Sequence, residues 1–298
     1  MARWDKNEGP TIPDWFWAAV DTEAESRTVE VDECDVAYRF YPSPGKPGLL
    51  LIHGMNAHSR WWDFIAPQLL DRYQVAAMDL TGMGDSDYRY EYSSSTYAKE
   101  IVAVMDDAGF DSNALIVAHS FGGYMSVKAV NLYPERFGGL VLVDSGIRHP
   151  DEPIPDPPKM GGATGKVYPD RESALMRFRL QPPQPCANEY ILQYIAKNSL
   201  MRDEDGWAWK FDEDLLTTLT DVERKPEDFQ AITVPLALIY GAQSELFTRQ
   251  TLAYMQEIIP QDFPVREIAD AQHHLFLDQP LAFVDALGEI CAELGAKP

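Results

Sequence analysis

The sequence predicts an α/β fold, with a mostly parallel sheet covered by helices on both faces, and two observations carry that expectation. Short, continuously apolar runs alternate with helical patterns along most of the chain, as strands buried on both faces of a parallel sheet require. The alternation then stops between Ser145 and Phe229 and resumes at Val234. A structureless loop of that length inside a compact domain is improbable. The expected organisation is therefore a core of residues 1–144 and 230–298, with residues 145–229 forming a helical cap inserted after the sixth strand.

Taken in order, Met1 to Glu25 is polar apart from Trp15, Phe16 and Trp17, and suits an arm laid across the body. Arg27 to Tyr41 alternates about an Asp-Glu-Cys-Asp turn and reads as a hairpin. After a Pro/Gly loop, Gly48 to Gly54 is a buried strand ending in His53-Gly54. Ser59 to Leu70 follows, expected as a helix with Trp62, Ile65, Leu69 and Leu70 on one side. Tyr73 to Asp79 is a further strand, and Ser95 to Ala108 a helix. Gly139 to Asp144 is the sixth strand. Within the cap, helical patterns run over Arg171 to Leu180 and Asn188 to Leu200, followed by the aromatic string Trp207-Ala-Trp-Lys-Phe211. Val234 to Tyr240 and Phe263 to Ile268 are the last strands, with helices over Thr248 to Ile259 and Leu281 to Leu294.

The chemistry centres on Asn113 to Tyr124, Asn-Ala-Leu-Ile-Val-Ala-His-Ser-Phe-Gly-Gly-Tyr. An apolar strand passes into a helix through Ser120, flanked by the small residues Ala118, Gly122 and Gly123. A sharp strand-to-helix turn needs small neighbours, because side chains there collide with adjacent backbone. The turn lifts the hydroxyl clear of the sheet beside a helix N-terminus, where free N–H groups favour an oxyanion. A hydroxyl is a weak nucleophile until a base takes its proton, so the chain must supply one.

This stretch resembles the nucleophile elbow of the α/β-hydrolase family, Gly-x-Ser-x-Gly, with Ala118 at the first Gly. Leu80-Thr-Gly-Met-Gly-Asp-Ser86 is similar to the family's Asp-x-x-Gly-x-Gly-x-Ser turn when read from Asp79. The resemblance spans Val29 to Leu294, with the cap unmatched in detail. It implies that His53-Gly54 opens the oxyanion loop, with Met55 donating one backbone N–H and Phe121 the other, while His53 is structural. It also implies a base just after the last strand. Aligning Leu-Asp-Gln-Pro280 puts His273 in that place, with Gln272 where Gly is usual, and leaves His274 to the pocket rim or to packing.

The orienting acid departs from pattern. After the seventh strand the commonest arrangement is Gly-x-x-Asp, but Gly241-Ala-Gln places Ser244 there. Ser244-Glu245-Leu246 is similar to the Ser-Asp-Leu string of some members with Glu substituted, and Glu can hold an imidazole tautomer as Asp does. Glu245 is the favoured acid, and Asp144, ending the sixth strand, is its rival. The expected substrate-binding set is Gly54, His119, His274, Arg177, Arg179 and Trp207. Of Arg177 and Arg179, at most one faces the pocket on a helix, where its guanidinium could bind a substrate carboxylate.

The expected activity is that of a cofactor-free serine hydrolase cleaving a small carboxylic ester or amide. The alternatives are a carbon–carbon hydrolase of the ring-fission-product type and a non-catalytic binding protein of the same fold. Dehalogenase or epoxide chemistry would want Asp as nucleophile. No nucleotide cofactor is expected, since Gly82-x-Gly84 lacks the third glycine of a dinucleotide fingerprint. No metal is expected either: adjacent histidines rarely chelate one ion, and no third ligand presents itself in the sequence. A net charge of −22 argues against nucleic acid or an anionic membrane as partner, leaving a small molecule. The three widely spaced cysteines suit a reducing cytoplasm. The first residues lack the apolar core of a signal peptide, and no apolar run approaches a membrane span.

Overall fold

The computed structural model describes residues 12–153, 167–221 and 224–295. Eight strands form one sheet: β1 Glu25–Val31, β2 Cys34–Tyr41, β3 Gly48–Ile52, β4 Gln74–Met78, β5 Leu115–His119, β6 Gly139–Val143, β7 Leu236–Gly241 and β8 Val265–Ile268. Their spatial order is β1-β2-β4-β3-β5-β6-β7-β8. The first two strands run antiparallel to their neighbours, and every pairing from β4 onward is parallel. The β1–β2 turn is two residues long, with Asp32 and Glu33 both left-handed at φ 48° and 63°, as a tight hairpin requires.

Period-two alternation divides the sheet between two cores. Leu50, Ile52, Ile116, Ala118, Leu140 and Leu142 face α2 Ser94–Asp107 and α3 Phe121–Leu132. Leu49, Leu51, Leu115, Val117, Val141 and Val143 face the opposite layer, where Trp62, Phe276, Phe283 and Leu287 pack. Phe283 and Leu287 belong to the C-terminal helix Pro280–Gly295. The α2 helix starts where Ser93 accepts the Thr96 N–H at 3.0 Å, a side-chain cap typically worth about 1 kcal/mol.

Two segments depart from expectation. Ser59 to Leu70 is two short 3₁₀ helices, Ser59–Trp62 and Ala66–Leu69. Pro67 has no N–H for a continuing helix, and the bonds made are three-residue ones, such as Ile65 N–H to Trp62 carbonyl. Trp62, Ile65 and Leu69 are still buried. Beyond Glu189–Asn198 the chain forms a hairpin of Leu200–Asp203 with Gly206–Trp209, and the helix expected over Arg171 to Leu180 closes at Leu175. Part of the N-terminal arm and the second half of the Pro-rich run at 149–158 lie outside the described residues.

The segment 167–221 returns to the core at defined places. Lys210 and Asp212 exchange backbone bonds with the Gly82–Gly84 turn, and Leu219–Thr220 pairs with Tyr92–Ser93. Among the described residues no helix is long and apolar enough to cross a membrane. Cys34, Cys186 and Cys291 are free thiols.

Candidate active site

Strand β5 delivers Ser120 to the C-terminal rim of the sheet, and α3 begins with the next residue. Ser120 sits at φ 51° and ψ −116°, a conformation that costs a non-glycine residue on the order of 1–3 kcal/mol. Its surroundings hold it there. The Ser120 N–H donates to the Val143 carbonyl at 3.0 Å, and the Ser120 carbonyl accepts from Ser145 Oγ at 2.8 Å. A Cβ on Gly122 would lie 2.4 Å from the His53 carbonyl oxygen, and one on Gly123 would lie 2.3 Å from Ser145 Oγ. Glycine is the residue that fits at both.

His273, in the turn after β8, places Nε2 3.0 Å from Ser120 Oγ and Nδ1 2.7 Å from Asp144 Oδ2. A carboxylate only accepts, so Nδ1 carries the proton and Nε2 is left to accept the serine hydroxyl. Asp144 is itself fixed: Oδ1 accepts the Gly241 N–H at 3.0 Å and Oδ2 the Ser244 hydroxyl at 2.7 Å. Its backbone is left-handed, φ 44°, which turns the chain at the end of β6.

The carboxylate that reaches His273 is that of Asp144, not of Glu245, the residue favoured from sequence. Glu245 is exposed, and its backbone carbonyl accepts from Arg148 Nη2 at 2.6 Å. Strands β6 and β7 are parallel neighbours, with Val143 paired to Ile239, so either can deliver a carboxylate to the same point. Ser244 turns inward and donates to the acid, and the residue after it turns out to solvent.

Three further histidines, His53, His119 and His274, are buried. His53 Nδ1 donates to the Gly54 carbonyl, Nε2 accepts the Leu80 N–H, and burial pushes its pKa down to about 4. His119 Nε2 donates to the His273 carbonyl at 3.0 Å, and burial holds its pKa well below the usual imidazole range. His274 is likewise held neutral by burial. Its ring lies 5.4 Å from those of Trp61 and His119.

A third imidazole therefore does join the adjacent pair read from the sequence. Ligand atoms of His119, His273 and His274 lie within 4.8 Å of one another, the one such group among the described residues. Both ring nitrogens of His273 are engaged by Ser120 and Asp144, however, and His119 is tied to the His273 carbonyl.

Ser120 and His273 open onto a cavity of about 770 Å³, lined at this end by Gly54, Met55, Phe121 and His274. Among the described residues, the Met55 and Phe121 backbone N–H groups have no protein acceptor. Residues 49–286 match the model of the alpha/beta hydrolase family.

The chain belongs to that family.

An uncharacterized hydrolase of Bacillus subtilis is 26% identical over 244 residues, covering 74% of this chain and 81% of its own. An esterase of Mycobacterium tuberculosis is 23% identical over 248 residues, covering 80% of each chain. A pimeloyl-[acyl-carrier protein] methyl ester esterase of Aeromonas hydrophila is 24% identical over 247 residues, covering 81% of this chain and 94% of its own. Among solved structures, E-2-(acetamidomethylene)succinate hydrolase superposes with a TM-score of 0.75 at 20% identity, covering 91% of this chain and 100% of the other.

Three residues of this hydrolase chosen from sequence lie away from the cavity. Arg177 and Arg179 are exposed, and Arg179 Nη1 donates to the carbonyls of Met176 and Phe178. The short helix ends before either arginine, so neither side chain is aimed inward. Trp207 sits in the hairpin between Arg171 and Arg202, 5.6 and 5.8 Å from its ring, and exchanges backbone bonds with Tyr168. The lining that sequence reasoning missed includes Trp61, Gln181, Pro182, Tyr124, Lys128 and Arg224. Tyr124 and Lys128 had a legible signal: they follow Ser120 by four and eight positions, on one helix face.

Proposed function

We propose that this hydrolase cleaves carboxylic esters through an acyl-enzyme on Ser120, with His273 as base and Asp144 as orienting acid. The observation that carries the reading is the continuous line Asp144–His273–Ser120, with contacts of 2.7 and 3.0 Å. His273 Nε2 takes the hydroxyl proton as Ser120 Oγ attacks the ester carbon. Asp144 stabilises the imidazolium from the other side of the ring. The Met55 and Phe121 N–H groups donate to the oxyanion of the tetrahedral intermediate.

When that intermediate collapses, His273 gives its proton to the departing alcohol. Water then attacks the acyl-enzyme, losing a proton to His273, which returns it to Ser120 and frees the acid. The esterase activities named for the mycobacterial and Aeromonas relatives support an oxygen ester as the bond broken. Residues 145–229 serve as the cap over this cavity, and Gln181, Pro182, Leu216 and Leu219 are among the residues it contributes to the lining. The substrate is a small molecule.

The test is labelling by a fluorophosphonate together with hydrolysis of short nitrophenyl esters. Wild type should do both, and Ser120→Ala should do neither while keeping the wild-type thermal midpoint. Undiminished labelling of the Ala variant would move the nucleophile elsewhere.

A further inference from the structure

The cavity continues away from Ser120 along α3. Ser120 caps that helix, Tyr124 and Lys128 lie four and eight positions beyond it, and all three line the cavity. At 1.5 Å of rise per residue, Tyr124 stands about 6 Å and Lys128 about 12 Å along the axis from the nucleophile. The wall between is apolar, with Val127, Leu216 and Leu219.

The far end has a different character. The guanidinium of Arg224 lies 3.8 Å from the centre of the Tyr124 ring. Such stacking orients a cation without neutralising it. Among the described residues Arg224 has no carboxylate within ion-pairing distance, whereas Lys128 pairs with Asp221 at 3.2 Å. The chain as a whole carries 25 basic and 47 acidic residues, yet the cavity is lined by three basic residues, Lys128, Arg224 and Lys225, against two acidic ones, Asp221 and Asp228. The local balance is the reverse of the global one. A positive site within so negative a molecule is selective for anions, because anions gain little anywhere else on its surface.

We propose that Arg224, held over Tyr124, binds an anionic group of the substrate at the end of the apolar arm remote from the scissile carbonyl. The ligand class is a linear ester with a carboxylate at its far end. This rests on Ser120 being the nucleophile, since the arm is followed from it. The carboxylate can sit on the acyl side or on the leaving-group side, and guanidinium recognition is the same for both.

The test uses two matched pairs. Monomethyl suberate against methyl octanoate places the charge on the acyl chain, and acetoxyhexanoate against hexyl acetate places it on the leaving group. In at least one pair, wild-type kcat/KM should favour the charged ester about tenfold, the scale of a charge-assisted hydrogen bond. Arg224→Met should erase that preference, Arg224→Lys should recover part of it, and added salt should shrink it. The pair that responds identifies the side carrying the charge. An Arg224→Met ratio equal to wild type in both pairs overturns the proposal.

Calorimetry separates this result from the fate of the nucleophile. The first pair is titrated into Ser120→Ala protein, and the second into the same protein, with and without Arg224→Met. Tighter binding of a charged ester that depends on Arg224 supports the arm even where no ester is turned over. Equal binding of charged and neutral esters in both pairs overturns it.

Discussion

Asp144 and His273 are 129 positions apart in sequence and meet at 2.7 Å. The contact joins the end of β6 to the turn after β8, and Gly241, the last residue of β7, and Ser244, in the loop after it, complete it by donating to the same carboxylate. Asp144→Asn should therefore reduce kcat by on the order of 10⁴-fold, through the wrong imidazole tautomer. Glu245→Gln should be nearly silent, because that side chain is in solvent. Steady-state kinetics on one nitrophenyl ester decides it, and a large loss at Glu245 with little at Asp144 would reverse the assignment.

Ser244 is the next place to probe. Its hydroxyl donates to Asp144 and accepts the Phe247 N–H at 3.1 Å. Ser244→Ala removes a donor from a buried carboxylate and leaves a backbone N–H short of its acceptor, at a stability cost of about 1–3 kcal/mol. In urea unfolding the midpoint should drop accordingly. The kcat should fall far less than for Asp144→Asn, since the Asp144–His273 bond stays in place.

How much of this was legible in the sequence follows from what each element buries. Strands such as Leu115–His119 and Gly139–Val143 are covered on both faces, so they read as unbroken apolar runs. Ser120 was legible because only small residues fit around it. That Glu245 would point away from His273 was not legible, because the pattern is a spacing along one loop, whereas His273 is a point in space reached from two adjacent strands. Arg177 and Arg179 were misplaced with the helix that was to carry them, which stops at Leu175. Arg224 lies just before the short helix Pro226–Gln230, at a position no periodicity marks.

Acid should destabilise the fold well before the carboxylates are all protonated. His53, His58, His119 and His274 are buried, and burial lowers the pKa of each, His53 to about 4. A folded pKa below the unfolded 6.5 means the contribution is fully present above pH 6.5 and is lost as pH falls through the folded value. For His53 that is about 3 kcal/mol across pH 6.5 to 4. Asp79 acts in the opposite sense. Burial raises its pKa to about 6, so its contribution is present below pH 3.8 and lost as pH rises through 6. Four histidines outweigh it, and the urea midpoint should be lower at pH 5 than at pH 7. An unchanged or higher midpoint at pH 5 would count against neutral, buried imidazoles.

Gly54 tests how closely the backbone must approach the reacting atoms. A Cβ there would stand 2.8 Å from His119 Nδ1 and 3.3 Å from Ser120 Cβ. The His119 ring has little room to retreat. Its Nε2 is bound to the His273 carbonyl, and its ring packs 5.0 Å from Phe276 and 5.4 Å from His274. The added methyl therefore pushes on Ser120 directly and on the backbone of His273 through His119. Displacements near 1 Å at reacting groups cost about 10²-fold. Gly54→Ala should lower kcat by roughly that factor with a smaller change in KM, and should slow fluorophosphonate labelling in parallel. Gly295→Ala is the control, since nothing lies within 4 Å of a Cβ at that position. The expectation fails if Gly54→Ala keeps wild-type labelling and turnover, because the space beside Ser120 would then tolerate a methyl group.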